Sequence, residues 1–216
     1  MLSDGSRTKD ASMKLLHIDS SVLGDNSVSR ILSAEIVARQ KELHPSIEII
    51  YRDLALDVAS HLSGGHIAAR HGAQIEEQGL LGDIAKGNEY LTELLDADIM
   101  VIGAPMYNFS VSSQLKVWID RIVVAGRTFT YNDTGEVRAL ISPSKKIFIA
   151  STRGSAYAPG SPYAAFEHHE SYLKGVFAFL GLHDVTIVRA EGLAFGPEAK
   201  DAAISQARGE IASISA

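Results

Sequence analysis

Short unbroken apolar stretches alternate along the chain with longer stretches whose apolar residues return every three or four positions. The short ones predict buried strands: Lys14 to Asp19, Ile47 to Leu54, Ile99 to Ala104, Lys145 to Ser151 and Asp184 to Gly192. The longer ones predict helices. Val28 to Leu43 keeps Leu32, Ile36 and Leu43 on one face, and Pro45 stops it. Asn88 to Ala97 turns Leu91, Leu94 and Leu95 inward, and Ser112 to Val124 does so with Leu115, Ile119 and Ile122. Ala165 to Gly181 carries Phe166, Leu173, Val176, Phe177 and Leu180 and ends at a glycine. Pro197 to Ile214 opens with proline in its first turn.

Two segments break this rhythm. Thr128 to Leu140 alternates Phe129 and Tyr131, turns at Asn132-Asp133-Thr134-Gly135, then offers Val137 and Leu140, which spells a small hairpin. Residues 55–82 are rich in His, Gly and Gln, with weak periodicity. They are expected to form a long excursion with one helical piece at Ala68 to Glu77. Five strands separated by helices predict an α/β protein, a parallel sheet covered on both faces. The flavodoxin-like strand order 2-1-3-4-5 is the commonest arrangement for such a chain. Residues 1–12 are polar and lack the apolar core of a secretory signal, so a flexible extension is expected before one domain at 13–216, with Met13 an alternative start.

Composition narrows the function classes. The 216 residues carry a net charge of −6, against the basic field that nucleic acids or anionic membranes would require. The chain has no cysteine, so disulfides, thiolate nucleophiles and cysteine-held metals are excluded, and a cytoplasmic location is expected. No apolar run approaches the roughly 20 residues of a membrane span. His61, His66 and His71 fall five apart and share no helical face, so no metal site is expected. His168 and His169 are adjacent in an expected helix and point apart, while Asp120 and Arg121 read as a solvated or interface pair.

Chemistry should gather beyond the carboxyl ends of the strands, where the strand order reverses. Three segments fall there. The loop after the first strand holds Ser20, Ser21, Ser27 and Ser29 and runs into a helix start, whose N–H groups favour an anion. Neither a GxxxxGK[ST] nor a GxGxxG pattern is present, so a monophosphate suits this loop better than a triphosphate or a dinucleotide. Equally, Ser27 simply caps the helix. The segment after the third strand, Met106-Tyr107-Asn108-Phe109, offers apolar surface to a planar ring and an amide to its edge, unless it packs under a neighbouring insertion. After the fourth strand come Thr152, Arg153, Gly154 and Ser155, a small turn whose backbone N–H groups can approach a ligand, or an ordinary connection.

These residues resemble the FMN-dependent NADH azoreductase and NADH:quinone oxidoreductase family, from about Lys14 to the C-terminus. The anchors are Ser27-Val28-Ser29, Ala104-Pro105-Met106-Tyr107-Asn108-Phe109 with Gln114-Leu115-Lys116, Thr128-Phe129, Thr152-Arg153-Gly154, and Ala190-Glu191-Gly192 with Gly196-Pro197-Glu198. The resemblance implies a flavodoxin-like homodimer with one FMN per subunit. Ser21, Ser27, Val28 and Ser29 would hold the phosphate side. Met106, Tyr107, Asn108 and Phe109 would line the ring, and Thr152, Arg153, Gly154 and Ser155 would meet its polar edge. Phe129 and Tyr131 would border the pocket in which NADH and then a quinone or azo acceptor bind in turn. The implied chemistry is a ping-pong hydride transfer carried by the cofactor, with no catalytic residue named and Tyr131 the one proton-bearing candidate to test. The family usually has Ser and a Gly-Gly pair where this chain has Thr152 and Ser155, and a side chain at Ser155 disfavours a left-handed backbone there. Glu191 is expected to fix the last loop. The rival readings are a flavodoxin-type electron carrier and a flavin-binding module without turnover.

Overall fold

A computed structural model describes residues 12–215, so the expected extension at 1–12 lies outside the described residues except for Ser12. The sheet strands are β1 (Lys14–Asp19), β2 (Glu48–Asp53), β3 (Ile99–Pro105), β6 (Lys146–Thr152) and β7 (Val185–Ala190), and the hairpin is β4 (Phe129–Tyr131) with β5 (Val137–Ala139). The helices are α1 (Val28–Leu43), α2 (Gly64–Arg70), α3 (Gln78–Asp96), α4 (Ser113–Ile122), α5 (Glu170–Phe179) and α6 (Pro197–Ala212). The five-stranded sheet runs β2-β1-β3-β6-β7, every pair parallel, which is the expected flavodoxin-like order.

The unbroken apolar run of β3 is explained by its place: it lies in the middle of the sheet, and all seven residues are buried. Successive side chains go to opposite faces. Met100 and Ile102 join Leu16, Leu94, Trp118 and Phe177 in the layer under α3, α4 and α5. Ile99 and Val101 join Leu15, Leu32, Ile36, Phe148 and Ile211 in the layer under α1 and α6.

The helix boundaries depart from the periodicity in three places. α3 begins at Gln78, ten residues before the expected start, because Gly79, Gly82 and the mostly exposed first turns carry no apolar stripe. The piece expected at Ala68 to Glu77 is instead α2, whose start is set by a polar contact: His66 Nδ1 lies 3.1 Å from Ser63 N and 2.8 Å from Ser63 Oγ. Since Nδ1 accepts the backbone N–H, Nε2 carries the proton and donates to Asp83 Oδ2 at 2.7 Å. α5 starts at Glu170, not Ala165. Glu167 takes the N–H groups of His169, Glu170 and Ser171 at 3.0, 2.7 and 3.1 Å, capping the helix from outside. Phe166 therefore lies before the helix and is half-exposed, and His168 and His169 precede it. Arg121 is no solvated partner of Asp120. It is buried and donates to Asp83 Oδ2 and Ser60 O, while Asp120 pairs with Lys116.

Candidate functional site

The loops after β1, β3 and β6 meet at the carboxyl edge of the sheet. The first is stitched to β3: Ser20 donates through both N and Oγ to Gly103 O, at 3.2 and 2.8 Å. Gly103 has to be glycine, because a Cβ there would stand 2.3 Å from Asp19 Oδ1. Ser27 is the N-cap of α1, its Oγ accepting from Arg30 N at 3.4 Å, so the capping reading holds. Its Oγ also lies 3.0 Å from Ser29 Oγ, and both serines and Val28 are buried at the helix start. Ser21 Oγ meets Tyr107 Oη at 3.0 Å, and Val22 N donates to the same hydroxyl at 3.3 Å, tying the first loop to the third strand's loop.

That second loop is a tight turn. Tyr107 and Ser110 exchange both backbone hydrogen bonds, at 2.9 and 3.1 Å. Asn108 and Phe109 at its centre have φ of 46° and 74°. Asn tolerates the left-handed region; for Phe it costs about 1–2 kcal/mol. The turn is clamped from outside, since Phe109 O accepts from His168 N at 3.1 Å and Ser110 Oγ donates to His168 O at 3.2 Å. Met106 N donates to Thr152 O at 2.8 Å. The Phe109 ring, 45% exposed, stands 5.3 Å from Phe166 and 6.5 Å from Tyr157, so the loop shares an aromatic cluster with the segment between β6 and α5.

The third loop is sewn to the segment after β7: Arg153 N donates to Ala190 O, Leu193 N to Arg153 O and Ala194 N to Gly154 O. Neither Gly154 nor Ser155 has a positive φ, so the side chain of Ser155 brings no backbone strain. Gly154 instead provides closeness, its Cβ position being 3.4 Å from the Ala194 methyl. The Arg153 side chain turns inward, buried against Glu170. Glu170 also accepts from Ser151 Oγ at 2.8 Å and from Arg189 Nε and Nη2 at 2.8 and 2.6 Å. Burial alone would raise the Glu170 carboxyl; the bonds from Arg189 and Ser151 and the charges of Arg153 and Arg189 outweigh it and hold it at about 2. Glu191 lies 3.6 Å from Arg153 Nε and bears on the same loop. Next to this cluster, His169 is fully buried with no partner on either ring nitrogen among the described residues, and burial drives its pKa down to about 4.

Among the described residues, the N–H groups of Asn108, Phe109, Gly154 and Ser155 meet no acceptor. They sit at the same edge as the serine hydroxyls and the α1 N-terminus. Phe129 and Tyr131 are not brought to this edge. Their hairpin packs on the far end of α5, with Phe129 4.8 Å from Phe179 and Ala139 against Gly181, about 15 Å of helix from the Phe109 turn. An insertion between α4 and β6 follows α4 down the sheet and folds where α4 ends.

Sequence reasoning missed a second polar layer beneath the serine loop. Arg30 clasps Asp53 with Nη1 and Nη2 at 2.6 and 2.7 Å. Tyr51 Oη donates to Asp19 Oδ2 at 3.1 Å, and burial with the Asp19 charge pushes it up to about 12. Ser33 Oγ donates to Asp19 Oδ1 at 2.7 Å and lies 3.0 Å from His17 Nε2. The available signal was an arginine in the first turn of a helix, where the macrodipole disfavours it.

A family model described as a flavodoxin-like fold matches residues 13–214. An FMN-dependent NADH:quinone oxidoreductase of Methylocella silvestris is 49% identical over 94% of this chain and all of its own length. FMN-dependent NADH:quinone oxidoreductase 2 of Pseudomonas aeruginosa is 50% identical over 93% of this chain and 97% of its own. Among solved structures, an FMN-dependent NADH-azoreductase of Bacillus anthracis in complex with FMN superposes with a TM-score of 0.80 at 26% identity, covering 92% of this chain and 98% of that one. With its strand order and its three loops at one edge, the chain belongs to the flavodoxin-like family of FMN-dependent NADH:quinone oxidoreductases and azoreductases.

Proposed function

We propose that the protein is an FMN-dependent oxidoreductase that uses NADH to reduce quinones and azo compounds, the activities named for its relatives. The observation that carries this reading is the donor set at the carboxyl edge: unpaired backbone N–H groups from two loops beside buried serines at a helix N-terminus. The donors are neutral and suit a phosphate at one end and a carbonyl-bearing ring edge at the other. Bound FMN supplies two-electron hydride transfer between the nicotinamide and the acceptor.

The residues then divide the work. Ser21, Ser27, Val28 and Ser29 receive the phosphate side. Met106, Tyr107, Asn108 and Phe109 form the floor and edge of the ring site, and the strained turn keeps the Asn108 and Phe109 N–H groups facing it. Thr152, Arg153, Gly154 and Ser155 serve the polar edge through backbone, since the one long side chain is spent on Glu170. Phe109 with Tyr157 and Phe166 excludes water beside the ring.

In this proposal the active form is a homodimer, and Phe129 and Tyr131 border the pocket of the partner subunit. Their distance from the turn in their own chain supports that arrangement, as do exposed Leu56, Val58, Tyr131 and Val137. No helix among the described residues is long and apolar enough to cross a membrane. Residues from 13 onward act as one domain, working in the cytoplasm.

Initial rates of NADH oxidation at varied quinone test the reading. Parallel double-reciprocal lines that require added FMN are expected. FMN binding without turnover would favour an electron carrier. A monomeric mass by light scattering would overturn the dimer.

A further inference from the structure

Beside the serine loop stands an arginine whose two terminal nitrogens are both engaged within the protein. Arg30 is the third residue of α1, and α1 has no acidic residue in its first turn. A cation there opposes the helix dipole, so its position needs a reason outside the helix. Asp53, at the end of β2, supplies the counter-charge through two bonds of 2.6 and 2.7 Å. Asp19 adds a second carboxylate, 3.8 Å from Nη1. Tyr51 Oη bridges the two, 3.2 Å from Arg30 Nη1 and 3.1 Å from Asp19 Oδ2. Of the two remaining donors, Nε has no partner among the described residues, and Nη2 reaches Ser21 O at 2.8 Å.

That bond fixes more than a carbonyl. In a trans peptide the C=O and the following N–H point in opposite directions. With Ser21 C=O turned onto Arg30, the Val22 N–H must point the other way, and it meets Tyr107 Oη at 3.3 Å. The same hydroxyl meets Ser21 Oγ at 3.0 Å. A chain of contacts thus runs from β2 through Asp53, Arg30, the Ser21–Val22 peptide and Tyr107 into the turn after β3. Every link belongs to a side chain or a peptide at the edge of the serine loop.

We propose that Arg30 is a positioning residue for the phosphate of the cofactor: anchored on Asp53, it sets the Ser21–Val22 peptide so that the serine loop and α1 N-terminus are shaped before the ligand arrives. The bidentate geometry suits arginine and not lysine, because a single ammonium cannot span Asp53 and the Ser21 carbonyl from one fixed plane. Arg30 contributes little attraction of its own, since it is outnumbered by two carboxylates. This inference rests on the flavin reading, and it assigns the arginine's effect to one part of the cofactor only.

The test compares FMN with riboflavin, which lacks the phosphate. Apoprotein of the wild type, Arg30→Met, Arg30→Lys and the double variant Arg30→Met/Asp53→Asn is titrated with each, following flavin fluorescence. Circular dichroism and thermal unfolding of each apoprotein check the fold. The wild type should prefer FMN. Arg30→Met should lose about tenfold or more in FMN affinity and less than about twofold in riboflavin affinity. Arg30→Lys should recover only part of the loss. The double variant removes the carboxylate that Arg30→Met leaves exposed, so it separates positioning from charge, and it should stay impaired. Equal losses for both flavins would show a general structural role and overturn the proposal. Full recovery in the double variant would overturn it too, by reducing the effect to charge. A wild type that binds neither flavin would sink the functional reading itself, and this inference with it.

Discussion

Two arginines hold the two flanks of the site, and they do so in opposite ways. Arg30 stands outside the loop it supports and grips that loop by a backbone carbonyl, while the Ser21 hydroxyl meets Tyr107 Oη and those of Ser27 and Ser29 meet each other. Arg153 belongs to the loop it supports and is anchored beneath it, on Glu170. In the proposed site the first loop therefore offers side chains to the phosphate, while the third offers only peptide groups to the ring edge.

Removing the anchor on the β6 side should do the greatest damage. Glu170→Ala takes from buried Arg153 its hydrogen-bonded carboxylate and leaves only the looser Glu191 and Glu167, 3.6 and 3.9 Å away, with an expected loss of about 3 kcal/mol in denaturant unfolding of the apoprotein. A loss under about 1 kcal/mol would mean that the loop is held by its backbone bonds alone.

The same flank should also dominate the acid response. His169 is neutral in the fold with its pKa lowered from 6.5 to about 4. The unfolded chain then binds the extra proton first. Stability is full above about 6.5 and falls as pH drops toward about 4, by up to about 3 kcal/mol. Glu170, lowered from 4.5 to about 2, continues the loss below pH 4.5. His169→Leu should flatten the upper part of the profile and leave the lower part in place. An unchanged profile between 6.5 and 4 would mean that another group governs it.

On the β1 flank, Gly103→Ala forces a methyl against Asp19 and toward Ser29 O, 3.3 Å away, and should cost about 1–3 kcal/mol. It should also weaken FMN binding, because Ser20 hangs from Gly103 O. Normal FMN affinity in that variant would separate the strand from the loop. The smallest effect is expected from Tyr107→Phe, which removes the hydroxyl shared by Ser21 and Val22 and should cost about 1 kcal/mol. If it changed FMN affinity more than Arg30→Met, the order of the contact chain would be reversed.

Much of this arrangement was readable from residue pattern alone. The five strands, their order and the meeting of three loops at one edge follow from apolar runs and right-handed crossovers, although β2, expected to be buried, lies at the sheet edge with no buried residue. The capping by Ser27 and the turn at Asn132 to Gly135 also carry local signals. What escaped were effects of distance. Glu167 ends the expected continuity of α5 by capping it from a loop, and nothing in the periodicity at Phe166 reveals that. α3 starts early because its first turns need no apolar face. The pairs Arg30–Asp53 and Arg153–Glu170 join residues 23 and 17 apart, which only the folded sheet brings together. Phe129 and Tyr131 read as pocket residues by resemblance, yet in one chain they lie beside Phe179.

The central claim is that this edge binds FMN and passes electrons from NADH to an acceptor. The most direct measurement is an anaerobic visible spectrum of the protein with one equivalent of FMN, taken before and after stoichiometric NADH, then after a quinone. Loss of the oxidised flavin band on adding NADH, dependent on the protein, and its return with quinone is the predicted result. Bound FMN that NADH leaves oxidised, or no bound FMN at all, would contradict the account.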